Sequence, residues 1–350
     1  LARYGDAPVV REAVRAFDPA ALRAWADGLG QHSFVGSSGR VFPEAMRATP
    51  LLRAWLARLA DLGVRIKRRE RWVGWGVDGA CRFARADGSL VETVADAAVF
   101  ALGGASWPRV GSDGGWVPRF REAGVVVHDL QPANCGVHIA WSATFGKRFA
   151  GTPLKNVALT ALGTQVRGEA TITTTGLESG PVYPLSAAIR DEVARSGSCT
   201  LLVDLLPDLT ATTVAERLAR RRPKESLSTW LRRTLALPPA AIGLVREATG
   251  NSVPAHPVEL ARLLQAVPLT VHAVAPIERA ISSSGGIALT EVDEHLMLRR
   301  RPGTFVAGEM LAWDAPTGGY LLQATFATGV AAARGAMAWV TAGWSPGGIE

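Results

Sequence analysis

The residues best suited to hold a ligand run from Phe305-Val-Ala-Gly-Glu309 to Thr317-Gly-Gly-Tyr320. A short apolar run that stops at a Gly-acid pair places a carboxylate at a strand end, where it can accept hydrogen bonds from ligand hydroxyls. A double glycine opening a helix lets backbone N–H groups come close to a ligand. The helix N-terminus adds partial positive charge, which suits an anionic or polar cofactor. The elements that must position these groups are a buried strand over residues 304–307, a tight turn at Gly308, and a small-residue helix over residues 320–340. The same spacing also suits a plain strand–loop–helix joint whose glycines serve only the turns.

Two further glycine pairs follow apolar or serine-rich runs. Ala97-Ala-Val-Phe-Ala-Leu-Gly-Gly104 predicts a fully buried strand ending where backbone can pass a ligand. Ser282-Ser-Ser-Gly-Gly-Ile287 precedes an expected strand from Ile287 onward. Other chemistry lacks its residues. The six histidines show no HxH, HxxxH or HExxH spacing, and Cys81, Cys135 and Cys199 form no CxxC pair, so no metal site is expected. There is no Gly-x-Ser-x-Gly elbow and no phosphate-binding P-loop. No general acid or base can be assigned.

Composition narrows the class. The chain has 350 residues, 48% of them hydrophobic and 20% charged, which suits two or three soluble domains. No apolar run is long enough for a transmembrane helix, and the unpaired cysteines suit a reducing, cytoplasmic location. The formal charge of +7 is concentrated in residues 65–71 and 217–233. Basic runs can meet phosphates, but solvated faces are commoner, so nucleic acid is not the expected partner.

Taken together and in order, these stretches resemble a bacterial flavoprotein family of NAD(P)/FAD-dependent oxidoreductases, often called BaiN-like or YhiN-like. The carrying residues are Phe305-Val-Ala-Gly-Glu309, Thr317-Gly-Gly-Tyr320, Gly36-Ser-Ser-Gly-Arg-Val-Phe-Pro43, the Gly103-Gly104 strand end, residues 168–181 and Gly285-Gly286. Leu102 stands where the family has Thr. Thr174-Thr175 replace its Thr-His, with one extra residue before Ser179, so chemistry assigned to that His does not transfer. The resemblance implies FAD, with contacts from Val73, Ala101, Gly103, Gly104, Gly285, Gly286, Gly308, Glu309, Gly318, Gly319, Tyr320 and Leu321. Val73 would lie beside the adenine, Glu309 would hold the ribityl chain, and the helix start at residues 319–321 would face the pyrimidine end. Arg40 is a candidate for stabilising negative charge near the flavin or substrate. The implied activity is oxidation or reduction of a small organic molecule, with NAD(P)H as transient hydride donor. Two alternatives are an RNA-associated flavoprotein and a non-enzymatic remnant. The family's opening strand, GxGxxG turn and helix have no counterpart near Leu1, because Gly28-Leu-Gly30 follows a helical segment. A first βαβ unit is therefore expected to be missing.

The expected fold class is α/β, with an FAD domain of the two-dinucleotide-fold type, incomplete at its N-terminus. It would comprise residues 1–127 and 275–350. A β-rich, barrel-like insert would occupy residues 128–208 and 251–274, with a small helical insert at 209–250. Strands are expected at residues 63–67 and from Arg71, followed by a hairpin around Asp87-Gly88. Helices are expected over residues 8–28, 48–62, 211–221 and 227–235.

Overall fold

The computed structural model describes residues 1–37 and 39–342. Ser38 of the Gly36-to-Pro43 motif and residues 343–350 of the expected last segment lie outside the described residues. The chain divides into two compact units, one of residues 1–131 with 283–350 and one of residues 132–282.

The first unit is built around a parallel pair of short strands, Thr304–Val306 beside Ala98–Phe100, with Phe305 opposite Val99. All three residues of Thr304–Val306 are buried, as a strand covered on both faces requires. Helix Tyr320–Thr341 covers the pair through its small residues Ala324, Ala327, Thr328, Ala332 and Gly335. Small side chains allow the helix axis close to the strands. Helix Pro8–Ala16 packs on it and buries Val10, Ala13 and Val14. Helix Pro19–Gly28 starts where Asp18 accepts from the Ala21 N–H at 2.8 Å, with Pro19 in the first turn.

Strands Glu70–Trp75, Cys81–Arg85 and Leu90–Thr93 form an antiparallel meander. Its inner face joins a cluster of Trp72, Trp75, Phe100 and Phe120, with ring centroids 4.8–5.5 Å apart and mostly edge-on. A small hairpin pairs Ser33–Val35 with Val41–Pro43.

Three expected strands are corrected. The one ending at Gly103-Gly104 is not fully buried: in Ala98–Phe100 only Phe100 is buried, and Val99 is exposed. Residues 63–67 form no strand: Val64 and Ile66 are exposed, and no neighbouring strand pairs with them among the described residues. The strand expected from Ile287 onward instead precedes it, as Ser282–Ile287. After Ile287 the chain turns into a short 3-10 helix, Leu289–Glu291.

The second unit is a closed six-stranded barrel with its own core. The strand order is Thr164–Ile172, Gly176–Glu178, Val137–Ile139, Val267–Val274, Cys199–Asp204, Pro153–Ala161, back to the first. Every paired register is antiparallel. Inward-facing Leu159, Ile172, Leu177, Leu201, Val203 and Val271 are all fully buried. At Gly176 any Cβ would collide with the Val137 carbonyl, so the barrel closes there only over a glycine. Helices Ala211–Leu218, Leu227–Leu235, Pro239–Ala248 and Pro257–Gln265, with Ala143–Phe149 and Val182–Ser196, complete the unit. Thr210 and Ser226 cap the first two through their hydroxyls. The first ends at Leu218, short of the expected 221.

Candidate functional site

The site lies in the first unit, where three segments are tied to one side chain. The chain leaves strand Thr304–Val306 and turns through a short 3-10 helix, Gly308–Met310. That turn throws Glu309 back against the loop after strand Ala98–Phe100 and the start of strand Ser282–Ile287. Its Oε1 accepts from the Ser283 N–H at 2.8 Å, and its Oε2 accepts from the Gly104 N–H at 3.1 Å. The Ser283 hydroxyl accepts from the Ala105 N–H at 2.8 Å. The Gly308 N–H donates to the Thr328 hydroxyl at 3.0 Å, which holds the turn on the long helix. Trp116 Nε1 donates to the Gly103 carbonyl at 2.9 Å.

The glycines at this crossing meet a packing requirement of their own. A Cβ at Gly104 would collide with the Ser283 hydroxyl, and one at Gly285 with the Asp129 carbonyl. Gly285 also has φ +88°, in the left-handed region that favours glycine. Burial pushes the Glu309 carboxyl above the usual carboxylate range; the two backbone donors pull it back by less.

Beside Glu309 opens a cleft of about 660 Å³. Ala101, Gly103, Gly308 and Glu309 line one part of it, with Leu321 and Thr325 of the long helix. Aromatic rings line another part of it: Trp25 lies 5.2 Å from Trp55 and 5.3 Å from Phe326, centroid to centroid. The size is ordinary for a cofactor or ligand site, and the surface is mostly apolar around a few placed polar groups.

Five of the predicted residues therefore line one cleft: Ala101, Gly103, Gly308, Glu309 and Leu321. Gly104 joins them through its hydrogen bond to Glu309. The others lie elsewhere in the unit. Gly285 lines a polar depression of about 520 Å³ with His128, Asp129, Gln131, Trp313 and Asp314. Gly286 is packed against the Met310 carbonyl. Gly318, Gly319 and Tyr320 form the start of the long helix, where the Tyr320 ring meets Tyr4 edge-on at 5.9 Å. Arg40 is carried to this helix start by the hairpin, and a Cβ at Gly318 would stand 3.8 Å from its Nε. Val73 is half-buried on strand Glu70–Trp75. A third hollow, of about 280 Å³, is lined by Val73's neighbours Arg71 and Trp72 with Asp113 and Trp116, but not by Val73 itself.

Sequence reasoning did not single out Ser283, Thr325, Thr328 or the Trp25–Trp55–Phe326 wall. The serines before Gly285 were the available signal for Ser283. The aromatic wall gave none, because its residues come from three separate helices.

A parallel strand pair under a glycine-flanked helix, with an acid at the strand end, defines a mixed α/β protein of the Rossmann type. The family model for the HI0933-like protein Rossmann domain matches residues 2–335. The chain belongs to that family, the one its motifs resemble. It is 26% identical over 312 residues to a 3-dehydro-bile acid delta(4,6)-reductase of Clostridium scindens, covering 85% of this chain and 75% of that protein. Among solved structures it matches the 3-ketosteroid delta1-dehydrogenase of Sterolibacterium denitrificans with a TM-score of 0.38 and 15% identity, over 82% of this chain. The chain spans 62% of the length of that dehydrogenase.

Proposed function

We propose that the protein is an FAD-dependent oxidoreductase acting on a small organic substrate, with NAD(P)H as the hydride donor. The observation that carries this reading is Glu309. It lines the cleft, and each of its oxygens already accepts one backbone N–H. An ionised carboxylate has about four lone-pair sites, so acceptor capacity remains for the hydroxyls of a sugar-like chain. The residues present fit such a group, and family membership supports the same cofactor.

Glu309, with Gly103 and Gly308 around it, would hold the ribityl chain. The aromatic wall would exclude water from the bound group. Arg40 and the N-terminus of helix Tyr320–Thr341 would stabilise negative charge at the helix start. When bound, the flavin supplies the hydride exchange, while the protein supplies binding, orientation and electrostatics. The named activity of the curated relative, a reductase, supports reduction as the direction. No helix among the described residues is long and apolar enough to cross a membrane. The three cysteines are free, and we place the protein in the reducing cytoplasm.

The test is reconstitution with FAD followed by anaerobic addition of NADPH or NADH. Retained flavin absorbance that bleaches on adding either nucleotide supports the reading. Retained flavin that neither nucleotide bleaches removes NAD(P)H as donor.

A further inference from the structure

In the second unit, residues 217–233 hold seven cations and a single carboxylate, Glu225. From sequence these arginines belong to a solvated face. The structure shows the carboxylate fully engaged in shaping the loop between helices Ala211–Leu218 and Leu227–Leu235. Both oxygens of Glu225 accept from Arg233, at 2.7 and 2.8 Å, and its Oε2 also accepts from the Arg222 N–H at 3.2 Å. Arg233 further donates to the Arg220 carbonyl at 3.2 Å, and Arg221 to the Glu225 carbonyl at 2.9 Å. The Arg221 guanidinium lies over the buried Trp230 ring, 4.5 Å from its centroid.

Arg221, Arg233 and the acid thus fix the loop, and the Arg222 side chain lies within electrostatic reach of the same carboxylate. Arg217, Arg220, Lys224 and Arg232 are left exposed, with no carboxylate partner among the described residues. A folded protein gains nothing by crowding unpaired like charges on a pinned loop and the two helices it joins, since self-repulsion opposes it. Such an arrangement suits a partner that brings regularly spaced negative charge.

We propose that this loop, with Arg217 and Arg232 of the helices it joins, is a docking surface for the phosphate backbone of nucleic acid, bound without sequence preference. Three of the four free cations are arginines, whose planar fork matches phosphate geometry. None of the described exposed large hydrophobic residues falls between Leu162 and Val258. The surface therefore lacks the apolar anchors of a membrane-binding helix and of a protein hot spot. Trp230 is buried, which leaves no ring there for base stacking and makes the contact one of charge alone.

The test is fluorescence anisotropy of the whole chain with a labelled RNA duplex and a labelled single strand. Four phosphate contacts predict that duplex affinity falls about 100-fold between roughly 50 and 200 mM salt. The variant R217Q/R220Q/K224Q/R232Q should lose most of that salt slope while keeping the wild-type melting curve. A control, R65Q/K67Q/R68Q/R69Q, removes the same charge from the first unit and should keep most of the binding. The proposal is overturned if the wild type ignores both nucleic acids at low salt, if the two variants weaken equally, or if anionic vesicles bind and RNA does not.

Discussion

Replacing Glu309 by alanine removes the acceptor for two backbone N–H groups at once, those of Gly104 and Ser283. Both donors lie in partly buried surroundings, and orphaning one such donor costs about 1–3 kcal/mol. Water entering from the cleft reduces that cost, so about 2–4 kcal/mol is the expected total. For a unit of this size each kcal/mol lowers Tm by about 2–4 °C, which gives a fall of roughly 4–16 °C. Urea unfolding followed by tryptophan fluorescence reads the change well, because Trp116 donates to the adjacent Gly103 carbonyl. Glu309→Gln keeps one acceptor and should recover about half of the loss. A Glu309→Ala protein within about 0.5 kcal/mol of wild type would refute the clamp.

Three other perturbations follow from the same geometry. The Glu309 carboxyl is raised on folding, so the folded state binds its proton more tightly than the unfolded state does. Its contribution is fully present below the ordinary glutamate pKa and is lost as pH rises through the raised value; urea titrations of wild type against Glu309→Gln should show this excess pH dependence only in the wild type. Gly176→Ala should unfold the barrel by more than about 3 kcal/mol, because the added methyl meets the Val137 carbonyl rather than a movable side chain; far-UV circular dichroism on heating reads it. Arg40→Ala should weaken FAD binding roughly 2- to 5-fold, the worth of one exposed cation near an anionic group, while Arg40→Lys retains most of the affinity by isothermal titration.

Strand Thr304–Val306 was legible because a buried parallel strand is a continuous apolar run, as residues 305–307 are; the longer run 97–102 predicted the same burial, yet Val99 in its strand is exposed. The long helix was legible from its small residues. The stretch Val64-Arg-Ile-Lys67 alternates apolar and cationic residues as a half-buried strand would, yet alternation supplies no partner strand, and its apolar side chains stay exposed. The barrel-like insert was legible from its regular short strands, but its strand order was not, because that order is set by pairings such as Leu202 with Thr160 and Pro268, far apart in sequence. At the site, glycine pairs marked close approach correctly but not what approaches. Gly104 and Gly285 are pressed by the protein's own Ser283 and Asp129. A pattern that fits a ligand and one that fits a backbone crossing look the same in sequence. Glu309 is told apart from a surface acid only once both its oxygens are seen to hold neighbouring segments.

The most direct test of the account is a titration of the folded chain with FAD, followed by flavin absorbance after desalting and repeated with Glu309→Gln. Saturable binding that survives desalting in the wild type and weakens at least about 10-fold in the variant is the predicted result, since a hydrogen bond to a charged group contributes about 1.5–3 kcal/mol. A folded wild type that leaves FAD entirely in the small-molecule fraction would contradict the assignment of the cleft, and equal retention by both proteins would contradict the role of Glu309 in it.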